Sequence, residues 1–290
     1  MSKLDLDVED KILAHYDPKT NRYQLLDVHL NQTAAIALES VSTAVKFDVL
    51  QDQELREIVS AIGKFHDLGK FTDFFQSYIK HGKNTGDLKN HAHISALALY
   101  RYLKLFKSMS CGPKEQEVLL FLIYLAVRQH HGHLTTNGLF LKTDLLTLSP
   151  VMHQQVAQIL KRANQLLAIY VLSQPELNQM LDVIPTFQDK SLALMSEKLQ
   201  SRRKHERWYF ILLYLFSLLI DSDKLDSAQL RKRELFDLPP DLVAKYLRRK
   251  HAPDFKHSSP VGVSDRREEA RQTILSVVES LTDEQLRNCR

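Results

Sequence analysis

Cysteine is almost missing. Cys111 and Cys289 cannot build a disulfide framework or a thiolate-rich zinc motif, and a reducing cytoplasm is the expected setting. Turn-formers are sparse too: 8 glycines and 9 prolines in 290 residues favour long helices over an all-β fold. No apolar run reaches the roughly 20 residues of a membrane span. The longest, Trp208 to Ile220, is interrupted only by Ser217 and reads as a core helix, as does Val118 to Val127. The opening Met1-Ser-Lys-Leu-Asp-Leu-Asp has no apolar signal-peptide core. A Gly-x-x-x-x-Gly-Lys-Ser/Thr phosphate loop is absent, so no nucleotide-driven motor is expected within the chain.

The chain does hold 44% hydrophobic and 26% charged residues, the balance of a soluble folded protein, with a net charge of +4. That mild basicity permits a nucleic-acid partner without requiring one. Helical periodicity predicts helices over Leu25–Phe47, Asp52–Phe65, Thr72–Ile79 with Thr72 as N-cap, His91–Lys107, Glu115–Gln129, Val151–Val171, Lys198–Asp223 and Asp241–Lys250. His81 to Asp87 reads as a loop, His251 to Gly262 as a linker, and Ser264 to Glu279 as a charged amphipathic helix. Sustained period-two alternation is missing, so almost no strand is expected. The fold class is therefore all-α, with residues 1–250 as one domain and 251–290 as linker and connector helix.

The 13 histidines are the unusual feature, because several cluster. An adjacent pair, His66-Asp67, closes an apolar helix in Gly63-Lys-Phe-His66-Asp67-Leu-Gly-Lys70. A carboxylate there can bridge two divalent cations while the imidazole ligates one. Lys70, three residues on, would share the Asp67 face of a continuing helix and could meet a phosphate oxygen.

Four other segments join it. His29 sits on a helix with an apolar face, where an ordinary surface histidine is the simpler reading. In Asn90-His91-Ala-His93-Ile-Ser95, His91 and Ser95 share a face and His93 points away. The vicinal His130-His131 follows an apolar helix, and burial there costs desolvation unless a metal or partners satisfy both rings; Gly132 then fits a chain reversal. Asp221, Asp223 and Asp226 terminate the most apolar helix, where metal, salt bridge or solvent could each satisfy them. Nitrogen and oxygen donors without thiolates suit iron, manganese, cobalt, nickel or magnesium.

As a set these residues resemble the HD nuclease domain of the CRISPR-associated type I interference nuclease-helicase. The likeness runs through Leu13-Ala-His-Tyr-Asp, Leu26-Asp-Val-His29-Leu, His66-Asp-Leu-Gly-Lys with Phe74-Phe75-Gln76, His91-Ala-His-Ile-Ser95-Ala, His130-His131-Gly132 and Ser222-Asp223-Lys-Leu-Asp-Ser. It covers about residues 10 to 235. It implies an all-α HD fold with a buried His/Asp centre for two divalent metals that cuts single-stranded DNA, as an endonuclease with or without exonuclease action. It also implies roles: His29, His66, Asp67 and Asp223 for one metal, and Asp67 with His91, His130 and His131 for the second. Lys70 and Ser95 would face the scissile phosphate, and Asp221 and Asp226 would be helix-end or salt-bridge residues.

The implied partners are single-stranded DNA, a fused or separate helicase, and a CRISPR RNA-guided targeting complex. The chain would be a stand-alone subunit or an N-terminal piece. Arg202-Arg-Lys-His205, Arg231-Lys-Arg233 and Arg248-Arg-Lys250 are candidate strips for a DNA backbone, with Trp208 and the tyrosines available for stacking, although solvated helix faces would look the same. Two other functions compete. One is an HD phosphohydrolase acting on nucleotides or cyclic dinucleotides, which a closed pocket would favour. The other is a non-catalytic helical binding module, which sub-stoichiometric metal would favour.

Overall fold

The computed structural model describes residues 8–132, 134, 149–182, 184 and 206–228. Contacts divide the chain into Met1–Lys232 and Arg233–Arg290. The second unit lies outside the described residues, as do the helix expected at Asp241–Lys250, the linker, the connector helix and all three basic strips.

A short hairpin opens the first unit. Strand β1 (Leu13–Asp17) pairs antiparallel with β2 (Arg22–Leu25), with a register irregularity between Leu13 and His15. Asn21 takes the left-handed backbone conformation that its short polar side chain tolerates, at φ 51°. The Asp17 carboxylate accepts from Lys19 N and Thr20 Oγ1, fastening the turn. Four- and five-residue strands are too short to show alternation, which is why this hairpin is the departure from the all-helical expectation.

Helix α1 (Leu26–Glu39) follows directly and packs on α2 (Asp52–Phe65). It stops eight residues earlier than expected. Ser40 Oγ turns back onto Ile36 O (2.9 Å), and Ser42 Oγ accepts from Ala44 N (3.2 Å), so these hydroxyls compete with the helical ladder. In α2, Leu55, Ile58, Val59 and Ile62 form the buried stripe, and Glu54 accepts from the Gln51 amide at the N-terminus. After α2 the chain makes a 3-10 turn over Leu68–Phe71 rather than continuing as α-helix.

Helix α3 (Asp73–His81) has Thr72 as its N-cap, accepting from Phe75 N. Then come α4 (Ala92–Phe106) and α5 (Pro113–Arg128), packed on each other. The expected single helix over Val151–Val171 is two, α6 (Ser149–Leu160) and α7 (Ala163–Tyr170). The chain turns at Lys161-Arg162, where the Arg162 guanidinium reaches Asp73 (3.0 Å). Helix α8 (Gln174–Leu181) follows, and α9 (Glu206–Ser227) closes against α1, α2 and α5.

Helix α9 is one-sided. Ile211, Leu215 and Leu219 are fully buried, yet Tyr209 and Phe210 are exposed. Trp208 is buried in the core, with the Arg207 guanidinium over its ring, so it is not available for base stacking as expected. No described helix is long and apolar enough to cross a membrane.

Candidate metal centre

The centre sits where α1, α2, α4, α5 and α9 meet. His66 caps α2 while Asp67 leaves helical geometry at φ −114°, ψ 17°, which turns its carboxylate inward. That turn needs Gly69: a Cβ there would lie 2.7 Å from His91 O and 2.6 Å from Ile94 Cγ2. Ser95 holds the same turn, its Oγ accepting from Gly69 N (2.9 Å).

Asp67 is 1% exposed, and its two oxygens face different histidine sets. Oδ2 lies 3.3 Å from His29 Nε2 and 3.4 Å from His66 Nε2. Oδ1 lies 3.0 Å from His91 Nε2 and 3.3 Å from His130 Nε2. Asp223 Oδ1 completes the first side, 3.4 Å from His29 Nε2. His131 Nε2 completes the second, 2.6 Å from His91 Nε2. Two groups result, His29/His66/Asp67/Asp223 and Asp67/His91/His130/His131. In each, one candidate ligand atom per residue lies within 4.8 Å of the others. All seven residues proposed as ligands are thus gathered around Asp67. The solvent-facing members are His131 on one side and Asp223, whose side chain is 16% exposed, on the other.

The donor set fits divalent cations. His66 Nδ1 donates to Gly63 O (2.8 Å), His130 Nδ1 to Val127 O (2.6 Å) and His29 Nδ1 to Asp226 Oδ2 (2.6 Å). Anchoring the Nδ1 proton leaves each Nε2 with its lone pair directed into the centre, the arrangement metal-ligating histidines use. Among the described residues, Asp67 Oδ1 and His130 Nε2 are buried without a hydrogen-bond partner, which is costly unless a cation meets them.

Charge within the cluster is arranged accordingly. Burial alone would raise the Asp67 carboxyl, but Lys70, then His66 and His91, hold it well below the usual carboxylate range. Burial would lower His66, yet Asp67 and the hydrogen bonds to Asp223 and Asp67 lift it to about 10, so a bound cation would have a proton to displace. Burial dominates the other way at His91, pushed down to about 4 despite Asp67, and at His93, pushed down to about 3.

Those two low values set a pH window. A histidine depressed in the folded state keeps the fold fully stable above its unfolded pKa near 6.5 and loses stability as pH falls toward the folded value. His66 is charged in both states below 6.5, and the carboxylates change only below about 3.8, so neither offsets the loss in between. Chelated protein is therefore expected to lose about 2 kcal/mol per imidazole for His91 and His93 between pH 6.5 and 5, with His15 and His131, which burial also pushes down to about 4 and about 3, adding to the loss, checked by urea midpoints across that range.

Lys70 and Ser95 are both buried at the turn that carries Asp67. Lys70 is buried on the 3-10 turn, its Nζ 2.6 Å from Asp67 Oδ2 and donating to Ala14 O (3.2 Å). In this position it balances the charge of the shared carboxylate. Ser95 is fully buried, and its observed contact is with the Gly69 amide, so it holds backbone. His93 belongs to neither group. Gly132 is not in the left-handed region, so the reversal after α5 does not require glycine.

Asp226 is a salt-bridge residue, as expected, and its partner is His29, one of the candidate ligands. It is 4% exposed, bonds His29 Nδ1 and accepts from Gln24 Nε2 (2.7 Å). Its spacing of three from Asp223 puts both carboxylates on one face of α9, a signal the sequence carried. Asp226→Asn is expected to weaken divalent-metal affinity about 10–100-fold by loosening the tautomer and orientation of His29. Calorimetric metal titration checks this, with the exposed Asp221→Asn as the control. The hairpin was also missed as part of the centre. The Gln76 amide ties Leu13 N, Leu13 O and Lys70 O together, and His15 meets His29 edge-on at 4.9 Å.

A mostly helical domain organised on a His-Asp pair, with one carboxylate shared between two histidine groups, has the features of an HD domain. The family model described as Cas3, HD domain, matches residues 14–196, and the chain belongs to that family of CRISPR-associated, metal-dependent HD hydrolases and nucleases. The match ends before α9, the helix that supplies Asp223 and Asp226. Neither curated proteins nor solved structures give a match.

Proposed function

We propose that the protein is a metal-dependent nuclease that hydrolyses phosphodiester bonds of single-stranded DNA in CRISPR type I interference. The observation that carries this is the placement of the Asp67 carboxylate, one oxygen toward each histidine group. His29, His66, Asp67 and Asp223 would hold one divalent ion, and Asp67, His91, His130 and His131 a second. Bound divalent ions supply a nucleophilic water at neutral pH and offset charge growing on phosphate oxygens. The chain's own residues do the rest. Asp226, Gly63 O and Val127 O fix three imidazoles in the tautomer that presents Nε2. Lys70 neutralises Asp67 at 2.6 Å, and the hairpin holds Lys70 there through Ala14 O. Donors are thus positioned before substrate arrives, which lowers the reorganisation the reaction requires.

A helicase, fused or separate, and an RNA-guided targeting complex are the proposed partners that deliver the strand. A metal centre that engages phosphate needs little more than backbone affinity, so weak sequence preference is expected. The test is cleavage of circular single-stranded DNA across a panel of divalent metals, with chelator as control. Metal-dependent linearisation supports the assignment and marks endonuclease action.

A second reading, a phosphohydrolase of nucleotides or cyclic dinucleotides, has one feature in its favour: a cavity of about 660 Å³ opens beside His91 and His131. That volume falls within the usual small-molecule range of about 300–1,000 Å³. Turnover of a deoxynucleoside triphosphate with intact circular DNA would decide for it.

A further inference from the structure

The same cavity carries a cation that neither histidine group uses. Lys89, half-buried, lines its wall together with His91 and His131 of the second group. Lys107, Arg162 and Arg207 each meet a carboxylate, but Lys89 makes no ion pair among the described residues. Its Nζ instead donates to Asn84 Oδ1 (2.8 Å) and stands over the Tyr78 ring, 5.0 Å from the centroid. Both contacts orient the ammonium and leave its charge unneutralised.

The backbone around it is fixed as well. Gln155, 2% exposed on α6, donates through Nε2 to Leu88 O (3.0 Å) and Asn90 O (2.8 Å), clamping the chain on either side of Lys89. Asn84 Oδ1 also accepts from Gly86 N (3.2 Å), closing the loop that precedes it. Asp87, the carboxylate on that wall among the described residues, is engaged by Asn90 Nδ2 (3.2 Å), and Arg128 adds a second positive charge. Ordering a lysine this closely costs side-chain entropy, which a bound anion offsets. His131 is the exposed member of its group and lines the cavity, so the cavity gives solvent a path to that group.

We propose that Lys89 binds a phosphate of the DNA strand next to the one under attack, which makes the cavity a backbone subsite. The proposal rests on the nuclease reading and deepens it. Lys89 stands two residues before His91, so the Gln155 clamp fixes the phosphate contact and a candidate ligand in one piece of chain. An ammonium recognises the charge of a phosphodiester and ignores the base, in keeping with weak sequence preference. Two anchored phosphates would fix which bond the centre meets.

The test uses the full metal-loaded chain and single-stranded oligonucleotides with one phosphate replaced by a neutral methylphosphonate, moved stepwise along the strand, with cleavage mapped bond by bond. At one position neighbouring the cut, the wild-type chain is expected to lose about fivefold or more in kcat/KM, mostly through KM, the scale of one charge-assisted contact. In Lys89→Gln that penalty is expected to shrink to within about twofold, because the charge partner is already gone. If the penalty in Lys89→Gln equals that of the wild type, the subsite falls; a lysine that only covers Tyr78 predicts that result together with a lower Tm. Equal cutting beside normal and neutral linkages by the wild-type chain overturns the subsite as well, with the nuclease reading intact. Bis(p-nitrophenyl) phosphate, a diester with no neighbouring phosphate, separates this from failure of the reading beneath it. Hydrolysis of that diester with DNA uncut, or of neither, defeats the nuclease reading and the subsite with it.

Discussion

Asp67→Asn is expected to reduce metal-dependent cleavage by at least about 10³-fold, several kcal/mol of lost transition-state stabilisation. The amide keeps the shape of the side chain and loses the charge that both histidine groups share. It is also expected to destabilise the fold, which the sequence alone does not suggest. Lys70 is 3% exposed and its Nζ lies 2.6 Å from Asp67, so removing the carboxylate's charge leaves a cation buried without its partner. Breaking a buried pair on one side costs about 3–5 kcal/mol. Adding Lys70→Met to Asp67→Asn is expected to recover most of that stability and none of the activity, because an apolar side chain of similar length restores neutrality. The double variant separates the two roles of Asp67. Recovery of cleavage in it, or full cleavage by Asp67→Asn alone, would remove Asp67 from the chemistry. Urea unfolding and the circular-DNA assay on the same preparations give both readouts.

What could be read in advance divides along a physical line. The helices that bury one stripe, such as Asp52–Phe65, were legible because their pattern is long and local. His66-Asp67 was legible because its two members are adjacent. The pairing of His29 with Asp226, 197 residues apart, was not, since no local pattern encodes which carboxylate reaches which imidazole. Nor was the placement of Lys70. A spacing of three suggested a shared helix face, and the same spacing on a 3-10 turn instead brings Nζ onto Asp67 itself. The hairpin was hidden by its brevity, although Pro18 and Asn21 are turn-formers. Its contribution is made through backbone, Ala14 O to Lys70 and Leu13 to Gln76, and backbone contacts leave little trace in residue type.

Gly63 is where fold and centre depend on the same atom. A Cβ on residue 63 would lie 2.5 Å from Ala34 Cα and 2.8 Å from Ala34 N, against an ordinary carbon contact of about 3.5–4.0 Å. Helices α1 and α2 can approach this closely only because residue 63 has no side chain. Gly63→Ala must push them apart, at an expected cost of about 3 kcal/mol, or roughly 10 °C in Tm for a unit of this size. The separation also strikes the metal centre. His29 rides on α1, His66 follows Gly63 by three residues, and the Gly63 carbonyl holds His66 Nδ1 at 2.8 Å. Divalent-metal affinity is therefore expected to fall along with Tm.

Ala34→Gly in the Gly63→Ala background distinguishes the cause. The nearest atoms are the backbone Cα and N of residue 34, ahead of its Cβ at 2.9 Å, so removing that Cβ should restore little. Full rescue would mean that the helices are kept together by side-chain fit instead of backbone proximity. Gly132→Ala is the contrast. It follows His131 directly, but among the described residues its Cβ would meet nothing closer than 3.5 Å, so stability should change by no more than about 0.5 kcal/mol.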